Sequence, residues 1–296
     1  KVRYATVKRV AVSNNNSKRI YKDRTANELL NEITIKAIDL QQKSFKILDQ
    51  IIRLLENENI FFINENNLYE YQVKFAQEYF FEKVSPSLGV IVLNKFRKIS
   101  DFKENLSILM VNMELVDKTV QNGIIHIPKD LDRFVELPSK DSNRYIMMVD
   151  DLIRYHLNDI FKIFKPVSIQ ANMIKISRDA ELDFDDDISK SFLDKIAQSV
   201  KERSSGDPVR FVYDSDIRID SLKFLLNKMQ IDDDTDSIIP GGKYHNRRDY
   251  MKFPSLGKSN LLYKPIKPLN IKGFKLGEST FNKLNDNSRY FKKKKF

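Results

Sequence analysis

The spacing of apolar residues changes near Ser107, and this change limits the chain to a small set of folds. Before Ser107, apolar residues recur at steps of three and four, which is the period of an amphipathic helix. After it, short runs rich in β-branched residues mix with helical stretches, without a regular strand–helix–strand repeat. Such an order is typical of the α+β class. The sequence therefore predicts an N-terminal antiparallel helical bundle followed by a mixed α+β domain.

A long amphipathic helix is predicted over residues 26–57. Thr25 and Glu28 have the spacing of a capping box, in which each residue satisfies a backbone N–H near the other. One apolar stripe follows, made of Ile33, Ala37, Leu40, Ser44, Leu48, Ile51 and Leu55. A second helix is predicted from Leu68 to just before Pro86. Because two long antiparallel helices need a third partner to bury their apolar faces, we expect the bundle to be incomplete, with most of its first helix upstream.

The α+β region is predicted from five β-rich runs and three helices. The runs are LSILMVNMEL, NGIIHIP, RYIMMVDDLI, VSIQANMIKIS and VRFVYDSD. The helices are predicted near 150–163, 187–203 and 220–230. Asp150 and Asp151 open the first of these helices, and carboxylates are favoured at the positive end of a helix dipole. We therefore interpret both as capping residues.

The positive charge is concentrated at the two ends. Residues 1–24 contain eight lysines and arginines against Asp23 alone, and residues 247–296 contain fourteen against three acidic residues. The overall net charge is +10, so the residues between are net acidic. This segregation predicts that the ends meet a polyanion such as nucleic acid, a phosphate chain, a nucleotide or a membrane surface. Solvated tails without a partner are the alternative interpretation.

The sequence contains no self-contained catalytic motif. It has no cysteine, which excludes disulfides, thiolate metal sites and cysteine nucleophiles. The three histidines, His126, His156 and His245, lack the spacing of a metal site, so no metal ligand is assigned. No P-loop, kinase glycine loop or dinucleotide fingerprint occurs. No apolar run approaches the length of a membrane span, and a cytoplasmic location is expected, with peripheral membrane association as a further option.

The stretch IIPGGKYHNRRDYMKFP, residues 238–254, raises the question of a phosphate cradle, a metal site or a turn. Gly241 and Gly242 predict a tight turn that needs positive φ. Tyr244, His245 and Asn246 predict a packed, hydrogen-bonded corner at the end of the domain.

Several stretches together resemble one known family. They are YFFEKVSPSLGVIVL (79–93), IIHIPKDLDRFVELPS (124–139), RYIMMVDDLIRYHLNDIF (144–161), IKISRDAELDFDDD (174–187), DPVRFVYDSDI (207–217) and IIPGGKYHNRRDYMKFP (238–254). In order and approximate spacing they resemble the N-terminal and head domains of the large bacterial polyphosphate kinases, the type with phospholipase-D-like catalytic domains. The resemblance covers most of the chain.

The resemblance implies an architecture and an activity. It implies a helical N-terminal domain over 1–104, an α+β head domain over 105–257, and a basic linker over 258–296 leading toward catalytic domains. Enzymes of this family transfer the terminal phosphate of ATP to polyphosphate through a phosphohistidine, use Mg²⁺, and form dimers or tetramers in which the head domain takes part. ATP and polyphosphate are thus the implied partners, and nucleic acid is disfavoured.

The resemblance also limits which residues carry a role. The family's adenine-contacting Asn and its phosphohistidine segment match no part of these 296 residues, so no catalytic residue is assigned and the chain is expected to be inactive alone. Contacts with nucleotide or polyphosphate are predicted for Arg3, Lys8, Lys243, Arg247 and Arg248. The alternative is a stand-alone, non-catalytic module that binds nucleic acid or polyphosphate.

Overall fold

The computed structural model describes residues 2–12, 19, 21–93, 107–178, 208–231 and 237–266. Its α-helices are α1 (Val2–Val12), α2 (Ala26–Glu56), α3 (Glu70–Tyr79), α4 (Val149–Tyr155), α5 (Leu157–Ile160) and α6 (Ile219–Met229). Its strands are β1 (Ile60–Ile63), β2 (Gly89–Leu93), β3 (Ser107–Glu114), β4 (Val120–Ile127), β5 (Phe134–Leu137), β6 (Arg144–Met148), β7 (Ser168–Arg178), β8 (Pro208–Asp214) and β9 (Ser237–Gly241). The helix predicted at 187–203 and the tail residues 267–296 lie outside the described residues.

The strands form two mixed sheets. The smaller sheet has the order β1-β6-β5, with β1 parallel and β5 antiparallel to β6. The larger has the order β2-β4-β3-β7-β8-β9, antiparallel throughout except for the parallel pair β8–β9. Helices and mixed sheets without a βαβ repeat confirm the predicted α+β class.

The central strand β3 is buried on both faces. Because successive side chains of a strand point to opposite faces, its residues serve two cores. Leu109 and Val111 pack with α4, α5 and the residues after α3 in one core. Ile108 and Met110 pack with residues of β7, β8 and α6 in the other. The run LSILMVNMEL, which the sequence predicts to be β-rich, therefore contains the central strand of the fold.

The first long helix agrees with its predicted bounds. Thr25 accepts a hydrogen bond from the Glu28 backbone N–H at 3.3 Å, and Glu28 Oε2 accepts one from the Thr25 N–H at 2.8 Å, so the capping box is confirmed. The apolar stripe is a poorer guide to burial, since Leu40 is 66% exposed and Ile51 47% exposed. The most buried residues of α2 are instead Ala26 and Leu30, at the end that packs against α1.

The predicted capping role of Asp150 and Asp151 is wrong. The residue that caps α4 is Met148, and it makes no side-chain capping bond. Both carboxylates lie in the first helical turn, but they are buried and bonded to residues distant in sequence. Their partners form the site described below.

Four strands are not predicted by the sequence pattern: β1, β2, β5 and β9. The residues of β1 are predicted only as a break between helices, yet they extend the small sheet by pairing with β6. Strand β2 lies within the predicted helical region 1–104 and pairs with β4.

By compactness the chain divides into two units, Lys1–Pro254 and Ser255–Phe296. No helix among the described residues has both the length and the apolar character to cross a bilayer.

Candidate functional site

Gly241 and Gly242 bring the end of β9 against the long helix α2. Neither residue has positive φ, so the prediction of a turn that requires it is wrong. A Cβ atom at Gly241 would lie 3.1 Å from Gln41 Nε2, and one at Gly242 would lie 3.0 Å from the Phe45 ring. Because these distances are shorter than most real Cβ contacts, a larger residue at either position would have to push a neighbouring side chain aside.

The next two residues join a buried ion-pair network around Asp151. Lys243 Nζ lies 3.0 Å from Asp151 Oδ1 and also contacts Glu65. Tyr244 donates a hydrogen bond of 2.5 Å to Asp151 Oδ2. Arg154 donates to Asp151 Oδ1 at 2.8 Å. Burial raises the pKa of Asp151 to about 6, although Arg154 and Lys243 act in the opposite direction. The network ties the 238–254 stretch to α4 and to the loop after β1.

A second network surrounds the guanidinium of Arg133. Its Nη2 donates to Asp150 at 2.5 Å and its Nε to Asp249 at 3.1 Å, and only 5% of the residue is exposed. Burial alone would lower the pKa of Arg133, but the two carboxylates raise it. The remaining nitrogen, Nη1, is buried without a hydrogen-bond partner among the described residues.

His245 and Asn246 form the packed corner that the sequence predicts. His245 Nδ1 lies 3.0 Å from the carbonyl oxygen of Gly242, and since a carbonyl only accepts, Nδ1 carries the proton. Burial lowers the pKa of His245 to about 4. Asn246 accepts from Lys175 at 2.9 Å and donates to Asp249 at 2.9 Å. Both side chains therefore have structural partners.

A cavity of about 430 Å³ lies beside this corner. Its lining residues are Ser107, Ile127, Pro128, Lys129, Arg133, Lys175, Asn246, Arg248, Asp249, Met251 and Lys252. Five of them are cationic and one, Asp249, is acidic. Arg133 is buried and Lys175 half-buried, whereas Lys129, Arg248 and Lys252 are exposed. The cavity thus has a fixed cationic floor and a cationic rim.

The charges of the cavity perturb one another. Burial lowers the pKa of Lys175, and the nearby guanidiniums of Arg210 and Arg248 lower it further, against the opposing effect of Asp249. Burial raises the pKa of Asp249, against the effect of Arg133. The lowered pKa of Lys175 reflects burial first and then repulsion by neighbouring cations, and a bound anion would offset both effects.

Residues 71–253 match the family model of the polyphosphate kinase middle domain. The chain belongs to the polyphosphate kinase family. It is 32% identical over 295 residues to the polyphosphate kinase of Vibrio parahaemolyticus, covering 96% of this chain and 41% of that protein. It is 31% identical over 272 residues to the Escherichia coli K12 enzyme, covering 90% of this chain and 39% of that one. The chain therefore spans about two fifths of the length of these relatives.

A solved polyphosphate kinase structure, from Porphyromonas gingivalis, has the same fold over most of the chain. The TM-score is 0.66 at 24% identity, and the match covers 82% of this chain and 35% of that one. The likeness supports the described topology.

The five contact residues predicted from the polyphosphate kinase resemblance lie in different surroundings. Arg3 is exposed and Lys8 half-buried on α1. Lys243 is held by Glu65 and Asp151. The guanidinium of Arg247 stacks 4.4 Å from the Phe45 ring centroid and donates to Ser44 and to the Tyr244 carbonyl. Arg248 lines the cavity. The structure thus brings one of the five to the cavity, and their ligand contacts stay a prediction.

Sequence reasoning missed the other four cations of the cavity: Lys129, Arg133, Lys175 and Lys252. They come from separate elements, and no local spacing joins them. Three of these cations lie in stretches that resemble the polyphosphate kinase family, which is the signal that could have identified them. Lys129 and Arg133 lie in IIHIPKDLDRFVELPS, and Lys175 lies in IKISRDAELDFDDD.

Proposed function

We propose that the chain is the N-terminal and head portion of an enzyme that transfers the terminal phosphate of ATP to polyphosphate through a phosphohistidine. The match of residues 71–253 to the polyphosphate kinase middle domain carries the proposal. In this role the chain supplies scaffold, contacts for dimerisation through the head, and part of the nucleotide and polyphosphate path. The cationic cavity supports the last of these, because a phosphate chain requires several cations in one place to replace its counterions.

We further propose that these residues do not transfer phosphate by themselves. A phosphohistidine requires an imidazole nitrogen that can reach ATP. His156 stacks on Phe80 with ring centroids 4.1 Å apart and lies 2.7 Å from Asp159. His245 is 6% exposed. His126 lies within β4, between β2 and β3. These surroundings support structural roles for His156 and His245.

Magnesium belongs to the proposed enzyme as the partner of ATP, where it would balance phosphate charge. Among the described residues, no three histidine or carboxylate side chains lie close enough together to hold a metal ion. No residue of this part of the chain is proposed as a Mg²⁺ ligand.

The proposal is tested by incubating the purified chain with ATP, Mg²⁺ and a polyphosphate primer. The expected result is retention of labelled polyphosphate without its elongation. Elongation would contradict the assignment of inactivity, and absence of retention would contradict the role in the polyphosphate path. A chain without residues 1–24 should retain less polyphosphate, because Arg3, Lys8 and six further cations are removed. Sedimentation of the intact chain tests dimerisation.

A stand-alone polyanion-binding module is the second candidate, and the two basic ends favour it. A binding competition between single-stranded DNA and polyphosphate distinguishes the two candidate functions. Single-stranded DNA displaces polyphosphate from a general polyanion binder, whereas it competes poorly at a site built for phosphate groups alone.

A further inference from the structure

We propose that the cavity beside the 238–254 corner is a binding site for a phosphate group, held by Arg133 and Lys175 at its floor and by Lys129, Arg248 and Lys252 at its rim. This inference deepens the proposed function and rests on it for the natural source of the phosphate group, which is polyphosphate. Free phosphate and the triphosphate of ATP share the same chemistry, and the experiment below distinguishes them.

The floor is organised before any ligand arrives. The two bonds of Arg133, to Asp150 and Asp249, fix the plane of its guanidinium. Its third nitrogen, Nη1, is buried and has no hydrogen-bond partner among the described residues. A buried N–H group without an acceptor is costly, so an oxyanion that enters the cavity far enough to reach Nη1 would stabilise the site. A guanidinium with fixed orientation also binds a phosphate oxygen with little loss of side-chain entropy.

The rim supplies charge that the fold does not use. Among the described residues, Lys129, Arg248 and Lys252 form no ion pair, whereas the cation Lys243 nearby in sequence is held by two carboxylates. Three unneutralised cations around one opening attract an anion and repel a metal cation. The cavity therefore selects by charge as well as by hydrogen bonding.

Lys175 adds a feature that distinguishes a built site from a patch of surface charge. It is half-buried and donates to Asn246 Oδ1 at 2.9 Å. The charged groups that act on it are Arg210 on β8 together with Arg248 and Asp249 in the 3₁₀ turn Arg247–Lys252. A bound anion would favour its charged form. Binding should therefore be accompanied by proton uptake in alkaline buffer.

The variants R248A and K129A remove rim cations that take part in no ion pair among the described residues, so they should fold normally. The matched control is K162A, which removes an exposed lysine from the 3₁₀ turn Lys162–Phe164, outside the cavity lining. Titration calorimetry of the full 296-residue chain would use inorganic phosphate, tripolyphosphate and ATP in separate arms, with sulfate for comparison. Thermal melting would confirm that the variants are folded.

We expect each rim variant to weaken tripolyphosphate binding about tenfold or more, as removal of a charge-assisted hydrogen bond does, while K162A binds like the unaltered chain. The ligand that binds most tightly among the three phosphate arms identifies the natural source. Equal weakening by K162A would overturn the site in favour of diffuse attraction. Sulfate binding equal to that of phosphate, or no measurable binding of any phosphate, would also overturn it.

Failure of this inference can be told apart from failure of the proposed function. If polyphosphate is retained by the chain but retention does not depend on Lys129 or Arg248, the cavity assignment is wrong and the proposed function stands. If the cavity binds tripolyphosphate but the chain elongates polyphosphate alone, the assignment of inactivity is wrong and the cavity stands. The heat of binding in two buffers of different ionisation enthalpy measures the proton uptake attributed to Lys175.

Discussion

The ammonium nitrogen of Lys243 lies 3.0 Å from a carboxylate oxygen of Asp151, a residue of which only 1% is exposed. The same ammonium contacts Glu65, in the loop after β1. One side chain thus connects the 238–254 stretch to α4 and to the small sheet. Because Asp151 is buried and Lys243 half-buried, loss of the pair should affect the whole folded unit rather than one surface.

The variant D151N should destabilise the protein by about 1–3 kcal/mol, since it replaces one acceptor oxygen by an NH₂ donor beside the donors Arg154, Lys243 and Tyr244. Urea denaturation at pH 7 measures the free energy of unfolding. The matched control is D39N, which makes the same chemical change in an exposed pair with Lys43 and should cost less than about 0.5 kcal/mol. Equal losses in the two variants would contradict a structural role for the buried pair.

Asp151 also predicts a slope of stability with pH. Its folded pKa, raised to about 6 by burial, lies above its unfolded value of about 4. Between these values the folded state holds a proton that the unfolded state has lost. This contribution therefore decreases as pH rises from about 4 to about 6. In D151N it should be absent, as pH-dependent urea denaturation would show.

His245 predicts the opposite slope. Burial lowers its pKa to about 4, below the unfolded value of about 6.5. In this window the unfolded state binds the proton and the folded state does not, so the contribution to stability rises with pH from about 4 to about 6.5. The free energy of unfolding of the unaltered chain should therefore rise with pH across this window, and the rise should be smaller in H245N. Parallel curves for the two proteins would rule out a buried neutral imidazole.

The contact between Gly242 and Phe45 predicts a steric cost for a single methyl group. G242A places a Cβ atom 3.0 Å from the Phe45 ring, and the expected loss of stability is about 1–3 kcal/mol. G89A is the control, because its Cβ would meet its nearest neighbour, His126, at an ordinary 3.4 Å. Replacement of Phe45 by Leu should restore part of the loss in G242A. If it does not, the strain lies elsewhere than at the ring.

The sequence predicts the elements of this fold where the signal is local. The capping box at Thr25 and the apolar period place the start and end of α2 to within a residue, and β-rich runs identify β3, β4 and β7. Strand β1 could not be predicted, because its four residues are too few to show an alternation of apolar and polar side chains. Its partner β6 also lies some eighty positions away in the sequence. A short strand is defined by its pairing, which the local pattern does not contain.

In the candidate site, too, local features were predictable from the sequence and tertiary contacts were not. Tyr244, His245 and Asn246 were identifiable as a packed corner from their hydrogen-bonding groups, whereas the turn predicted for Gly241 and Gly242 was wrong. The roles of Asp150 and Asp151 were not identifiable, because a carboxylate at a helix start is equally compatible with capping. What decides between the two is the presence of Arg133, Arg154 and Lys243 nearby, and only the tertiary fold brings them together.

The apolar stripe of α2 allows a last prediction about which of its faces is covered. Leu40 is 66% exposed, so L40Q should change the free energy of unfolding by less than about 0.5 kcal/mol. Leu30 is 3% exposed, and L30A should cost about 2–5 kcal/mol in the same urea experiment. A loss above about 1 kcal/mol in L40Q that grows with protein concentration would mean that a second copy covers this face. A similar loss that does not depend on concentration would mean that residues of the same chain cover it, and the stripe would then be a buried surface after all.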